Sequence, residues 1–145
     1  KDVLEAYTLW NLGKDLTSDQ LSVFSDLRGG GQGNYREGIT KKIDNVVEAL
    51  QSFPHSKRAV ITIPNDSFAQ HSNDYEAKCM REIHFRLDGA KVNATVLFRA
   101  QAALIFPKNI HFIGTLMQEI AHRIDPFLET GQLSYLASVL VNDRQ

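Results

Sequence analysis

REIHFRLDGAKVNATVLFR, residues 81–99, alternates apolar and polar side chains on both sides of Asp88-Gly89. A period of two is the signature of a half-buried strand, and an Asp-Gly pair between two such runs is a tight-turn signal. The stretch therefore predicts a β-hairpin. Upstream, RAVITI (58–63) is a short, β-branched, mostly apolar run, which predicts a strand buried on both faces. Before it, Ile39, Ile43, Val46, Val47 and Leu50 fall on one face of a helix that ends near Phe53-Pro54. Downstream of Pro107, Ile110, Ile113, Leu116, Met117, Ile120 and Ile124 form a stripe too continuous for a surface helix. QLSYLASVLV (132–141) reads as a final strand. The fold expected is α+β, a mixed β-sheet packed on a long buried helix.

The first third reads as helix and loop. DVLEAYTLWNL (2–12) spaces Val3, Leu4, Tyr7 and Leu12 helically, and Thr17 or Ser18 can cap a second helix through Leu27. RGGGQGN (28–34) follows, and its three consecutive glycines predict a mobile loop. A phosphate cradle would need a strand before it and a lysine-bearing helix start after it. Residues 1–38 are expected to form a divergent helical and loop part and residues 39–145 the core. At 145 residues and 43% hydrophobic content the two together suit one domain.

Sixteen Lys and Arg against seventeen Asp and Glu leave a formal net charge of -1, so there is no bulk attraction toward nucleic acid or a membrane surface. No apolar run approaches the roughly 18 residues of a membrane span. A single cysteine, Cys79, excludes an internal disulfide, and a soluble, reducing compartment, cytoplasmic or organellar, is expected. Lys1 stands where an initiator Met would, which leads us to expect a removed upstream segment. The five histidines make no ligand spacing, so no metal is expected.

Four blocks, in order, resemble the thymidylate synthase and pyrimidine hydroxymethylase family over roughly residues 43–144. NVVEALQSFPHSKRAVITIPN resembles a helix, a Pro-x-Ser-Arg-Arg segment and a strand. KCMREIHFRLDGAKVNATVLFRAQA is similar to the Pro-Cys-His, Gln-Phe hairpin and Gln-Arg-Ser-x-Asp strand. IFPKNI resembles the Gly-x-Pro-Phe-Asn-Ile turn into a central helix, and LASVLVNDRQ a last strand ending in His-x-Tyr.

The resemblance implies a chemistry. In the family a cysteine thiolate attacks C6 of a pyrimidine nucleotide, making C5 a nucleophile toward a one-carbon unit carried by methylenetetrahydrofolate. Cys79 matches that cysteine. Taken alone, a lone cysteine at a strand start is also what a small buried hydrophobe looks like. A thiol needs a nearby cation to favour the attacking form, and Arg99 matches the family's phosphate-binding arginine on the next strand. Arg58 matches a second phosphate-binding arginine, which in the family reaches across from the other subunit of a homodimer. Lys57 replaces its arginine neighbour, keeping the charge and losing the guanidinium fork. Both Arg58 and Arg99 also read as ordinary strand-end cations. Asn109 matches the asparagine that hydrogen-bonds the pyrimidine edge, where an amide suits uracil; its alternative is a helix N-cap. Glu5 and Tyr35 echo a catalytic glutamate and a tyrosine of the family without convincing spacing.

The departures thin this machinery. Ala100 and Ala102 stand where the resemblance implies Ser and Asp, Lys78 and Met80 flank the cysteine in place of Pro and His, and Leu140 and Asn142 replace the His and Tyr that hold the ribose. Each lost contact to a charged group is worth about 1.5–3 kcal/mol. The family's folate-covering tail has no counterpart before Gln145. Two expectations follow. One is a one-carbon transferase acting on a uridylate-like nucleotide. The other, favoured by the four replaced polar positions, is a non-catalytic scaffold or subunit of a larger complex with at most weak nucleotide binding. Either way the sheet carrying RAVITI and the hairpin is expected to mediate self-association, because the resemblance implies that this face is a dimer interface and its strands read as apolar on both faces.

Overall fold

A computed structural model of the chain describes residues 2–27, 35–63 and 78–142, with backbone alone for residue 2 and residues 24–27. The glycine-rich stretch 28–34 and His71 lie outside the described residues. The elements run α1 (Asp2–Asn11), α2 (Ser18–Leu27), α3 (Ile39–Ser52), β1 (Val60–Thr62), β2 (Met80–Asp88), β3 (Lys91–Phe98), β4 (Gln101–Ala102), α4 (Phe106–Ile124), β5 (Glu129–Ala137) and β6 (Leu140–Val141). Of the two candidate caps for α2, Thr17 is the one used. Its hydroxyl accepts from the Gln20 N–H at 3.2 Å while the Gln20 side-chain oxygen accepts from the Thr17 N–H at 2.9 Å, a reciprocal capping box.

The main sheet is mixed, in the order β1-β2-β3-β5. β2 and β3 form the expected hairpin, closed by Gly89-Ala90, with Gly89 in the left-handed region at φ 58. β5 pairs parallel to β3, which a two-residue turn cannot achieve; α4 makes the crossover. At the register shift between Val92 and Ala94 the Asn93 side chain lies over Gly131, where a Cβ would collide with it. From there its oxygen accepts the Gln132 N–H at 2.8 Å. β4 and β6 form a separate parallel ribbon.

One face of the sheet is covered, by α3 over β1 and β2 and by α4 over β3 and β5. It presents Ile61, Ile83, Phe85, Val92, Ala94, Val96 and Phe98, all essentially buried, to the α3 stripe Ile39, Ile43, Val46, Val47 and Leu50 and to Phe112, Ile113, Leu116 and Ile120 of α4. The α4 stripe thus packs as expected at four positions, while Ile110 and Ile124 are only half-buried and Phe112 joins it. The helix is not buried all round: His111, Gly114, Gln118 and His122 face solvent.

Three expectations need correction. RAVITI contributes a three-residue strand, Val60–Thr62, with Thr62 exposed, and among the described residues this strand pairs only with β2. The sheet's outer face is alternating: the outward side chains of β2 are Glu82, His84 and Arg86, with Thr95 and Leu97 beside them on β3. QLSYLASVLV splits after Ala137, since Ser138-Val139 leaves the main sheet and β6 joins the ribbon. No described helix is long and apolar enough to cross a membrane.

Candidate functional site

Antiparallel pairing of β2 with β3 brings the residue before one strand beside the residue after the other. The Arg99 N–H donates to the Cys79 carbonyl at 2.8 Å; Cys79 is half-buried and Arg99 exposed. Arg81 secures the backbone just upstream. Its guanidinium donates to the Lys78 carbonyl at 3.0 Å and to the Ile63 carbonyl at 3.3 Å, clipping the end of β1 to the residue that precedes Cys79.

Behind Cys79 lie three phenols. Tyr35 stacks on Phe112 with centroids 6.3 Å apart and meets Phe98 edge-on at 6.5 Å. Its N–H donates to the Asn11 side-chain oxygen at 2.7 Å and its hydroxyl accepts the Met80 N–H at 3.3 Å. Tyr7 reaches from α1 to α4 and donates to Asn109 Oδ1 at 2.5 Å. Tyr135 stacks on Phe98 at 4.8 Å, takes the edge of Phe106 at 5.1 Å, and donates to Gln101 Oε1. The same oxygen receives Asn109 Nδ2 at 3.0 Å, and Gln101 Nε2 donates to the Ala102 carbonyl at 2.8 Å. Asn109, Gln101 and Asn11 are 3%, 2% and 0% exposed, so these amides are satisfied by protein rather than water.

Burial is the main reason all three phenols hold their protons well above the ordinary tyrosine range. A negative charge on Cys79 would raise each further; Arg99 works the other way on Tyr35, as does the Asn109 amide on Tyr135. The cluster is therefore a set of neutral hydroxyl donors beside a thiol. Two of its hydroxyl protons are already committed, that of Tyr7 to Asn109 and that of Tyr135 to Gln101. Among the described residues no group of three His, Cys, Asp or Glu side chains could hold a metal ion.

Of the residues singled out in the sequence, the fold brings Cys79 and Arg99 together and places Asn109 in the adjoining network. Asn109 is not the N-cap of α4; that position is Ile105, and Asn109 lies a turn inside. Lys57 and Arg58 are elsewhere. The β1–β2 register sets Arg58 near Arg86, seven residues along β2 from Cys79, or roughly 20 Å at the rise of a strand. There Lys57 and Arg58 are exposed and line an open groove of about 790 Å³ with Glu48, Phe53 and His55. Glu5 faces solvent. Leu140, 63% exposed, pairs with Gln101 on the ribbon. Tyr7, Gln101 and Tyr135 escaped the sequence reading: Tyr7 was counted in an apolar stripe, Gln101 lies between alanines, and Tyr135 is one beat of an alternating strand. Compared with known proteins, the chain matches no family model and no curated protein.

Proposed function

We propose that this chain is a thymidylate synthase-like protein with a degenerate site, a non-catalytic scaffold or subunit with at most weak affinity for a pyrimidine nucleotide. The observation that carries the reading is the state of Asn109. The amide that would meet the base is 3% exposed and bonded at both ends, to Tyr7 and to Gln101. A ligand must compete with those bonds, and a buried amide loses about 1–3 kcal/mol for each bond left unmade. Titrating the full chain with deoxyuridine monophosphate, followed by NMR, is expected to show no saturation below about millimolar concentration. Micromolar saturation overturns the reading.

Self-association belongs to the same proposal. Leu97 and Leu136 are register partners on the outer sheet face, and Leu136 is 60% exposed. A second copy on this face is also the route by which Arg58, roughly 20 Å from Cys79 within one chain, could approach that site. Sedimentation is expected to give a dimer that Leu136→Glu weakens by at least about tenfold, since a desolvated charge is costly at an interface. A wild-type chain that stays monomeric at high concentration removes the idea.

A second reading, a C5 one-carbon transferase with Cys79 as nucleophile, is favoured by one observation: Cys79 is half-buried beside Arg99 and the neutral phenols. It would also need a folate. The neighbouring ribbon and its flanks leave Leu104, Val139, Leu140 and Val141 exposed, and none of these side chains offers a folate a donor or acceptor. The same titration separates the two readings, because a working site would saturate with nucleotide at low concentration and perturb Arg99.

A further inference from the structure

The face of the sheet that α3 and α4 leave uncovered carries an open cleft of about 650 Å³. Strand register orders its floor. Glu82, His84 and Arg86 stand at alternate positions of β2; Leu97 of β3 is the partner of Glu82, Thr95 is the partner of His84, and Leu136 of β5 is the partner of Leu97. The two ends of the cleft therefore differ chemically. At the Arg86 end the turn 54–57 forms a wall and adds Lys57, and the β1–β2 register sets Arg58 beside Arg86. Among the described residues no carboxylate makes an ion pair with any of these three cations. Arg86 donates only to Thr95 Oγ1, at 3.0 Å. At the other end Leu97 and the 60% exposed Leu136 lie beside Glu82, whose carboxylate is 3.6 Å from His84 Nε2. With a net charge of -1 on the whole chain, the cationic end is a local imbalance.

We propose that this cleft docks an extended acidic segment of a partner protein, with a carboxylate at Arg86 and an aliphatic side chain four residues further on at Leu97 and Leu136. The inference rests on the reading of the chain as a subunit of a larger complex. Arg86 and Glu82 are four residues apart on β2, or about 13 Å. An extended segment lying along the strand presents every second side chain to the sheet, so its positions i and i+4 reach the two ends and i+2 falls over His84 and Thr95. A helix needs about nine residues for the same span and lacks that repeat. Glu82 fixes the direction, since it repels a carboxylate at the leucine end while Lys57, Arg58 and Arg86 attract one at the other. A nucleic acid would set phosphates against Glu82 and give the leucines no matching contact. A second copy brings the same three cations to the face, because a twofold contact sets a patch against itself. An acidic segment neutralises them instead, so the two occupants compete and the segment displaces the copy.

The probe is the capped peptide Gly-Glu-Ser-Thr-Ser-Leu-Gly, titrated into the full chain and followed by methyl NMR and by sedimentation. It is expected to shift the Leu97 and Leu136 methyl resonances saturably and to convert dimer to monomer. Moving its leucine one residue toward the glutamate keeps the composition but turns that side chain away from the sheet, and should weaken binding at least about tenfold, the worth of one buried leucine. Arg86→Gln should weaken binding about threefold to fivefold. Lys41→Gln removes the same charge from an exposed position on α3 and should leave binding unchanged. Equal binding of the two peptides, or an Arg86→Gln chain that binds as wild type does, overturns the proposal. So does a dimer that the peptide leaves intact with its methyl resonances unmoved, which assigns the face to the second copy alone, and so does an oligouridylate that shifts those methyls when the peptide does not. A chain that stays monomeric yet binds the peptide with the expected spacing supports docking and removes self-association. Deoxyuridine monophosphate reports at Arg99, so the docking proposal and the degenerate-site reading fail separately.

Discussion

Phe112→Ala is expected to remove about 4 kcal/mol of the unfolding free energy, a large part of the roughly 5–15 kcal/mol that holds a domain together. Phe112 is 0% exposed and sits in the middle of the buried face of α4, between the sheet and the ring of Tyr35 that stacks on it. Truncation loses the transfer of a ring out of water and leaves a void beside Tyr35 in the buried core. Tyr35 is kept from closing in, because it is held at both its N–H and its hydroxyl. Urea denaturation followed by circular dichroism measures the loss. The control is Phe127→Ala: Phe127 is 89% exposed, and its removal should change stability by less than about 0.5 kcal/mol. A Phe112→Ala loss below about 1.5 kcal/mol would mean that α4 does not seat its aromatic face as described.

Alkaline pH should destabilise the fold steeply. Tyr7, Tyr35 and Tyr135 all have proton affinities raised by burial above the unfolded value of about 10. Above that pH the unfolded chain releases its phenolic protons while the folded chain keeps them, so unfolding is increasingly favoured. The stability these groups confer is complete below about pH 10 and declines as pH rises toward the folded values. Each fully buried phenol contributes a slope of up to about 1.4 kcal/mol per pH unit. Tyr7 and Tyr35, 5% and 2% exposed, should approach that limit, and the half-buried Tyr135 less. Urea midpoints between pH 8 and pH 11.5 should fall accordingly, and Tyr35→Phe should flatten the fall by one phenol's share even if it lowers stability at neutral pH. Stability unchanged through this range, or phenolate absorbance rising as for free tyrosine, would show that the phenols are not enclosed together.

The Asn109 network is self-sealed. The same burial that keeps the phenols protonated keeps the amides occupied by one another. Asn11 illustrates the coupling: fully buried, it donates to the Tyr7 carbonyl and accepts from the Tyr35 N–H, so α1 positions two of the phenols through one side chain.

By itself the sequence determined the local elements. Ile39 through Leu50 at helical spacing and the alternation around Asp88-Gly89 are set by neighbours two to four residues apart and form as read, whereas the stripe read from Ile110 to Ile124 is buried only at Ile113, Leu116, Met117 and Ile120, and of the two caps read for α2, Thr17 and Ser18, Thr17 is used. Tertiary structure alone decided the rest. Whether RAVITI would be central or an edge depended on what else joined the sheet, and the parallel seat of β5 beside β3 depended on how α4 crosses back. The network at Asn109 has partners 102 residues upstream and 8 residues upstream. Periodicity carries no record of a hydrogen bond between such positions, because it is made only when α1, α4 and β4 have packed and water has been expelled from between them.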